Sequence, residues 1–219
     1  MNVVEAIFLS ASVPDPKRSP EYTKTADSVA IQAAVSALVH VTLGRRPLVW
    51  GGHPAITPMI WIVAADMGVD YGSWVRLHQS RHFKDEFPED NMRFHNVTFS
   101  EDVEGDREKS LLAMRTKMFT EHHFSAAVFI GGMDGIIDEF SLFTHLQPDA
   151  KIIPVVSTGG ATLEVAENIG NIPADLSSDM DYVALFHRHL GIPAQERRFV
   201  RPEEQPSELS LRLWQPDTN

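Results

Sequence analysis

The sequence predicts an α/β fold: a doubly wound, mostly parallel (Rossmann-like) sheet with helices on both faces. Three observations predict it. Short apolar runs alternate with helix-periodic segments as far as Ile169, the pattern of strands joined by crossover helices. Two of those runs end in glycine pairs, Gly51-Gly52 and Gly131-Gly132, and each pair leads into a helix-like pattern. No internal repeat or composition break divides the 219 residues. Residues 1–175 therefore read as one α/β domain, and residues 176–219 as a helical segment and extended tail packed on it.

Residues 6–10 form a buried first strand ending in the small residues Ser10, Ala11 and Ser12. Residues 13–22 carry Pro14, Pro16 and Pro20 and read as a loop. Residues 27–43 present a broad apolar helix face, stopped by Gly44. The second strand is 47–50. A helix over 57–67 follows, with Pro58 in its first turn and Gly68 at its end. Alternation places a third strand at 74–78. The charged, proline-bearing stretch 83–91 is a surface excursion, and 93–99 a fourth strand. An acidic segment, 101–109, leads into a helix over 108–123. The fifth strand is 126–130, the next helix 135–146 and the sixth strand 152–156. After 161–169 the pattern weakens; 180–190 is helical, and from Pro202 the chain reads as an extended or frayed tail.

The formal net charge of −11 leaves no broad basic footprint for nucleic acid. There is no cysteine, so disulfide and thiolate chemistry are excluded. Residues 1–6 lack the basic start and apolar core of a signal peptide, and no apolar run approaches the length of about 20 residues that spans a bilayer. The expectation is a soluble, cytoplasmic protein with no nucleic-acid or membrane partner.

Strand, glycine turn, helix is a geometry that aims backbone N–H groups and a helix N-terminus at an anion, most often a phosphate. Two such turns in one α/β domain suggest a nucleotide-shaped ligand, bound beyond the carboxyl ends of the strands. The candidate ligand-binding residues are Ser10, Ser12, Gly51, Gly52, His53, Thr57, Arg115, Gly131, Gly132, Met133, Asp134, Gly135 and Glu139. Thr57 serves equally as a helix cap or a phosphate hydroxyl. Arg115 shares an apolar stripe with Leu111, Met118 and His122 and needs an anionic partner, which Glu139 or a ligand phosphate would supply. Glu139 suits ribose hydroxyls, with Asp134 and Asp138 as alternatives. A further turn, Thr158-Gly159-Gly160-Ala161-Thr162, is either pocket wall or helix cap. No histidine spacing is metal-like, and neither a Walker lysine nor a Gly-x-Ser-x-Gly elbow is present. No metal and no cofactor are expected.

The two turns and the arginine resemble the Smf/DprA–LOG (SLOG) superfamily over roughly residues 4–160, with the C-terminal segment outside. Its LOG-type phosphoribohydrolases carry a Gly-Gly-Gly turn after the second strand. They also carry a later Pro-Gly-Gly-x-Gly-Thr-x-x-Glu turn and a catalytic arginine on the helix before it. Gly51-Gly52 resemble the first turn, Gly131-Gly132, Gly135 and Glu139 the second, and Arg115 the arginine. The chain departs from the pattern at His53, Ile56, Ile130 and Ile136, and by one extra residue between Gly132 and Gly135. That resembles the divergent stand-alone branches, and implies binding of a nucleotide or nucleotide-sugar, as a signal sensor in defence systems. The alternative is a phosphoribohydrolase-like enzyme in which Arg115 and Glu139 are catalytic. Relatives of this fold pair through helices beside the sheet, which implies a homodimer; Ile60, Trp61, Met67, Leu142 and Phe143 offer apolar surface for it. A sensor would signal through oligomerisation or a separate effector protein.

Overall fold

The computed structural model describes residues 5–87 and 89–214. Pro88 and the ends of the chain, including the last part of the expected tail, lie outside the described residues. Six strands form one sheet: β1 (Ala6–Ser12), β2 (Leu48–Trp50), β3 (Val75–Ser80), β4 (Asn96–Ser100), β5 (Phe124–Gly131) and β6 (Lys151–Val155). Their order is β4-β3-β2-β1-β5-β6, and every neighbouring pair is parallel. The chain starts in the centre, walks outward to β4, then returns to the other side of β1. The order therefore reverses between β1 and β5, where the diverging connections leave a crevice. Register pairs Leu9 with both Trp50 and Val128, and Ser12 with Gly131, so these strand ends share one edge.

Strand alternation sends successive side chains to opposite faces. Ile7 and Leu9 join one buried cluster, Ala6 and Phe8 the other. The helices, in chain order, are α1 (Pro20–Thr23), α2 (Ser28–Thr42), α3 (Thr57–Ala65), α4 (Tyr71–Trp74) and α5 (Arg107–Glu121), then α6 (Asp134–Leu146), α7 (Thr162–Ile169), α8 (Asp175–Ser178), α9 (Tyr182–Leu190) and α10 (Leu209–Arg212). The Ile7 cluster takes in α2, α3, α8 and α9; the Phe8 cluster takes in α5, α6 and α7. In the latter the Phe8 ring lies 4.8 Å from Phe119 and 5.3 Å from Phe143. Asp27 caps α2 by accepting from the Val29 and Ala30 amides, and Asp106 caps α5 through Lys109.

The surface excursion expected over 83–91 is built of two 3₁₀ turns, Arg81–Glu86 and Glu89–Arg93. Two expectations change. The stretch from Pro202, expected as an extended tail packed on the domain, carries a 3₁₀ turn at Pro202–Glu204 and α10, and it meets the bottom of α2 and β2. There the buried Glu196 carboxylate pairs with Arg46 at 2.8 Å and Arg212 at 3.1 Å. Arg198 donates to the Leu43 carbonyl, and the Trp74 indole donates to the Phe199 carbonyl. Finally, Ile60 and Phe143 are fully buried, while Met67 and Leu142 pack against the core, so much of the apolar surface expected to face a second copy is consumed within the chain.

Candidate functional site

A cleft of about 480 Å³ opens above the carboxyl ends of the central strands. β1 and α6 build one end of it. Ser10, buried near the end of β1, donates its hydroxyl to Glu139 Oε2 at 2.5 Å. Arg115, midway along α5 with its side chain 9% exposed, reaches across to α6. Its Nε donates to Glu139 Oε1 at 3.3 Å, Nη1 to Asp138 at 3.2 Å and Nη2 to the Gly135 carbonyl at 3.1 Å. A Cβ at Gly135 would stand 3.2 Å from Nη2, a tight approach. The second turn places Met133 at the cap of α6, and Glu139 is engaged by both Ser10 and Arg115.

The first glycine pair crosses the cleft floor, and its two members do different work. At Gly51 a Cβ would lie 3.4 Å from Met114 Cε and 3.9 Å from Glu139 Oε1, so nothing in the protein forbids one. Gly52 has φ +77° and a Cβ there would come within 2.8 Å of Gln79 Nε2, so both conformation and space require glycine. His53 follows. Its Nδ1 accepts from the Ala55 amide at 3.2 Å, which places the imidazole proton on Nε2. Burial, then the charge of Arg18, hold its pKa below the ordinary histidine value. Arg18 itself lines the cleft, and among the described residues its guanidinium has no hydrogen-bond or ion-pair partner.

Of the residues expected at the site, Ser12, Gly51, Gly52, His53, Arg115, Met133, Asp134, Gly135 and Glu139 line the cleft. Ser10 stands behind Glu139. Thr57 does not face the cleft and does not cap its helix: the cap is Ile56, and the buried Thr57 hydroxyl donates to the His53 carbonyl at 3.1 Å. Gly131 and Gly132 also lie behind the lining. Their amides donate inward, to Thr158 Oγ1 at 2.8 Å and the Ser12 carbonyl at 2.9 Å, so neither is offered to an anion. The Thr158–Thr162 turn is no pocket wall; the Ala161 amide donates to the Gly132 carbonyl at 3.0 Å, bracing the second glycine turn from behind.

Residues not anticipated complete the cleft: Arg18, Gln79, Phe83, Phe87, Leu111 and Met114. Leu111 and Met114 sit four and one residues before Arg115 on α5, so the stripe that carried Arg115 already pointed to Leu111. Gln79, Phe83 and Phe87 gave no periodic signal. Among the described residues no group of three or more His, Asp or Glu is arranged to hold a metal ion, and no helix is long and apolar enough to cross a membrane.

A family model described as the SLOG cluster3 family matches residues 21–190. The match holds both glycine turns, Arg115 and Glu139, and it runs on through α9, beyond the expected limit near residue 160. No curated protein matches the chain. A solved structure titled as the X-ray structure of TM1055, Northeast Structural Genomics Consortium target VT76, is 14% identical, with 74% of this chain and 81% of that chain covered and a TM-score of 0.49.

Proposed function

The chain belongs to the SLOG cluster3 family, and from that premise we propose that its cleft binds a nucleotide or nucleotide-sugar as a signal ligand. The observation that carries this reading is Glu139, fixed at both carboxylate oxygens by Ser10 and Arg115 and set 3.9 Å from the Cβ that Gly51 lacks. A carboxylate so held, beside a bare stretch of main chain, suits the vicinal hydroxyls of a ribose, which donate to it. The cleft volume falls within the range of small-molecule sites. For an anionic group the supporting features are the unpaired Arg18, the Nε2–H of His53 and the first turn of α6, which no side chain caps. Arg115, by contrast, already donates from each of its three nitrogens to a protein acceptor, so its role in this reading is to position Glu139.

The test is the ligand itself. Protein purified natively and then denatured should release a nucleotide identifiable by mass spectrometry, and the same compound should bind the ligand-free protein in a calorimetric titration. A cleft that carries no nucleotide and binds none at millimolar concentration would defeat the reading. Signal output would pass through a second copy of the chain or a separate effector, and light scattering with and without ligand reads the former.

The second reading is N-glycosidic hydrolysis, and Glu139 favours it too. In that reaction water attacks the anomeric carbon as the bond to the base breaks, and a fixed carboxylate stabilises the positive charge that develops on the ribose. Release of free base from nucleoside monophosphates, abolished in Glu139→Gln, would replace the sensor reading with this one.

A further inference from the structure

The nucleotide reading accounts for the Glu139 end of the cleft and leaves its other end unused. There Gln79, near the end of β3 and 7% exposed, lines the cleft. Its Oε1 accepts from Asn91 Nδ2 at 3.0 Å, which turns its oxygen towards the 89–93 turn. Its Nε2 donates to no group among the described residues and lies against Gly52. Asn91 is equally buried, and its own Oδ1 has no hydrogen-bond partner. Buried polar groups are rarely left unpaired without a reason. Here, among the described residues, the Asn91 Nδ2 bond is the one hydrogen bond that orients the Gln79 amide. The cleft lining also holds the apolar Phe83, Phe87, Leu111 and Met114, together with the charged Glu86, Arg107 and Glu108.

We propose that this end is a base subsite, and that Gln79 selects a base presenting a carbonyl oxygen, as hypoxanthine, guanine and uracil do, over one presenting an amino group there, as adenine and cytosine do. The inference rests on the nucleotide reading of the same cleft. A free glutamine amide recognises adenine by donating and accepting at once. Gln79 cannot do both, because its oxygen is turned to Asn91, which lies outside the cleft lining, and Nε2 is the atom set against Gly52. A carbonyl oxygen takes the Nε2–H. An amino group would set donor against donor and leave a desolvated N–H unpaired, the costly side of hydrogen-bond recognition. The aromatic rings supply stacking that any base satisfies. Gly51 faces Glu139 and Gly52 faces Gln79, and their Cα atoms stand about 3.8 Å apart. A nucleoside lying across the two glycines therefore meets the carboxylate with its ribose and the amide with its base.

The experiment titrates inosine, uridine, adenosine and cytidine monophosphates and ribose 5-phosphate into the wild-type protein. The four nucleotides are then titrated into Gln79→Glu. That variant keeps an oxygen for Asn91 Nδ2 and turns the donor into an acceptor; Gln79→Met, which keeps the volume and removes both, stands in if Gln79→Glu does not fold. The keto-base nucleotides are expected to bind the wild type roughly tenfold or more tighter than their amino-base counterparts, the worth of about one good base-edge contact. Gln79→Glu should invert that ratio and Gln79→Met should flatten it. Equal binding of both classes by the wild type, or a ratio unmoved in the variants, overturns the inference while the nucleotide reading stands. No binding of any nucleotide or of ribose 5-phosphate removes both.

Discussion

Replacing Arg115 by alanine should destabilise the fold before it affects any ligand, and the loss can be worked from its partners. The contact with Asp138 contributes little, because that carboxylate is 58% exposed and solvent screens it. The bond to the Gly135 carbonyl is worth about 1 kcal/mol. Most of the cost falls on Glu139, 16% exposed, which would keep only Ser10. Breaking a well-buried pair from one side costs about 3–5 kcal/mol. At 3.3 Å the Nε–Oε1 contact is longer than a strong charge-assisted bond, which puts this one near the lower end, and about 3 kcal/mol is expected in all. For a chain of this size that lowers the melting temperature by roughly 6–12 °C. Urea unfolding of Arg115→Ala, Glu139→Gln and the double variant measures it. Neutralising Glu139 removes the orphaned charge, so the double variant should recover part of the loss, with a coupling of about 1–3 kcal/mol. A loss within about 0.5 kcal/mol, or strictly additive variants, would refute the claim that Arg115 exists to hold Glu139.

Other perturbations separate binding from folding. Gly51→Ala should leave unfolding within about 0.5 kcal/mol of wild type, since its φ is ordinary and the nearest atoms stand at 3.4 and 3.9 Å, while weakening nucleotide affinity on titration; a large stability loss with unchanged affinity would show the glycine to be structural. Acid should weaken the fold through His78 and His122, whose Nε2 atoms lie 2.9 Å apart and whose pKa values burial, foremost, pushes down to about 4. The neutral forms stabilise fully above about pH 6.5, and that contribution is lost as pH falls towards 4; for the fully buried His78 it amounts to about 3 kcal/mol. Urea midpoints at about pH 7 and pH 4.5 check this, with His78→Gln expected to flatten the difference. Glu196→Ala leaves Arg46 and Arg212 without their shared carboxylate and should cost about 3 kcal/mol, releasing residues 193–214 to limited proteolysis; a tail still resistant would mean that the Arg198 and Trp74 bonds suffice.

The strands and the crossover helices were visible in the sequence, because apolar runs and 3.6-residue periodicity are local quantities; the Arg115–Glu139 pair was visible through the resemblance of the two turns to the family pattern. What failed was long-range. A glycine that faces an open cleft and one that faces a packed side chain look alike in a sequence, so Gly132, whose Cβ would collide with Ile136 at 1.9 Å, was indistinguishable from Gly51. Thr57 carried the composition of a cap, but its hydroxyl turns back to the carbonyl of His53. Gln79 and Asn91 meet across two 3₁₀ turns that have no hydrophobic period. Glu196, ahead of the stretch read as a tail, finds Arg46 from 150 residues away, and Arg212 of that stretch joins the same carboxylate.

A crystal structure grown with a keto-base nucleoside monophosphate, such as inosine monophosphate, tests the central claim most directly. The account predicts density lying across Gly51 and Gly52, with ribose hydroxyls on Glu139, the base carbonyl on Gln79 Nε2 and the phosphate towards Arg18. Nucleotide density elsewhere on the molecule, or an empty cleft at saturating concentration, would contradict it.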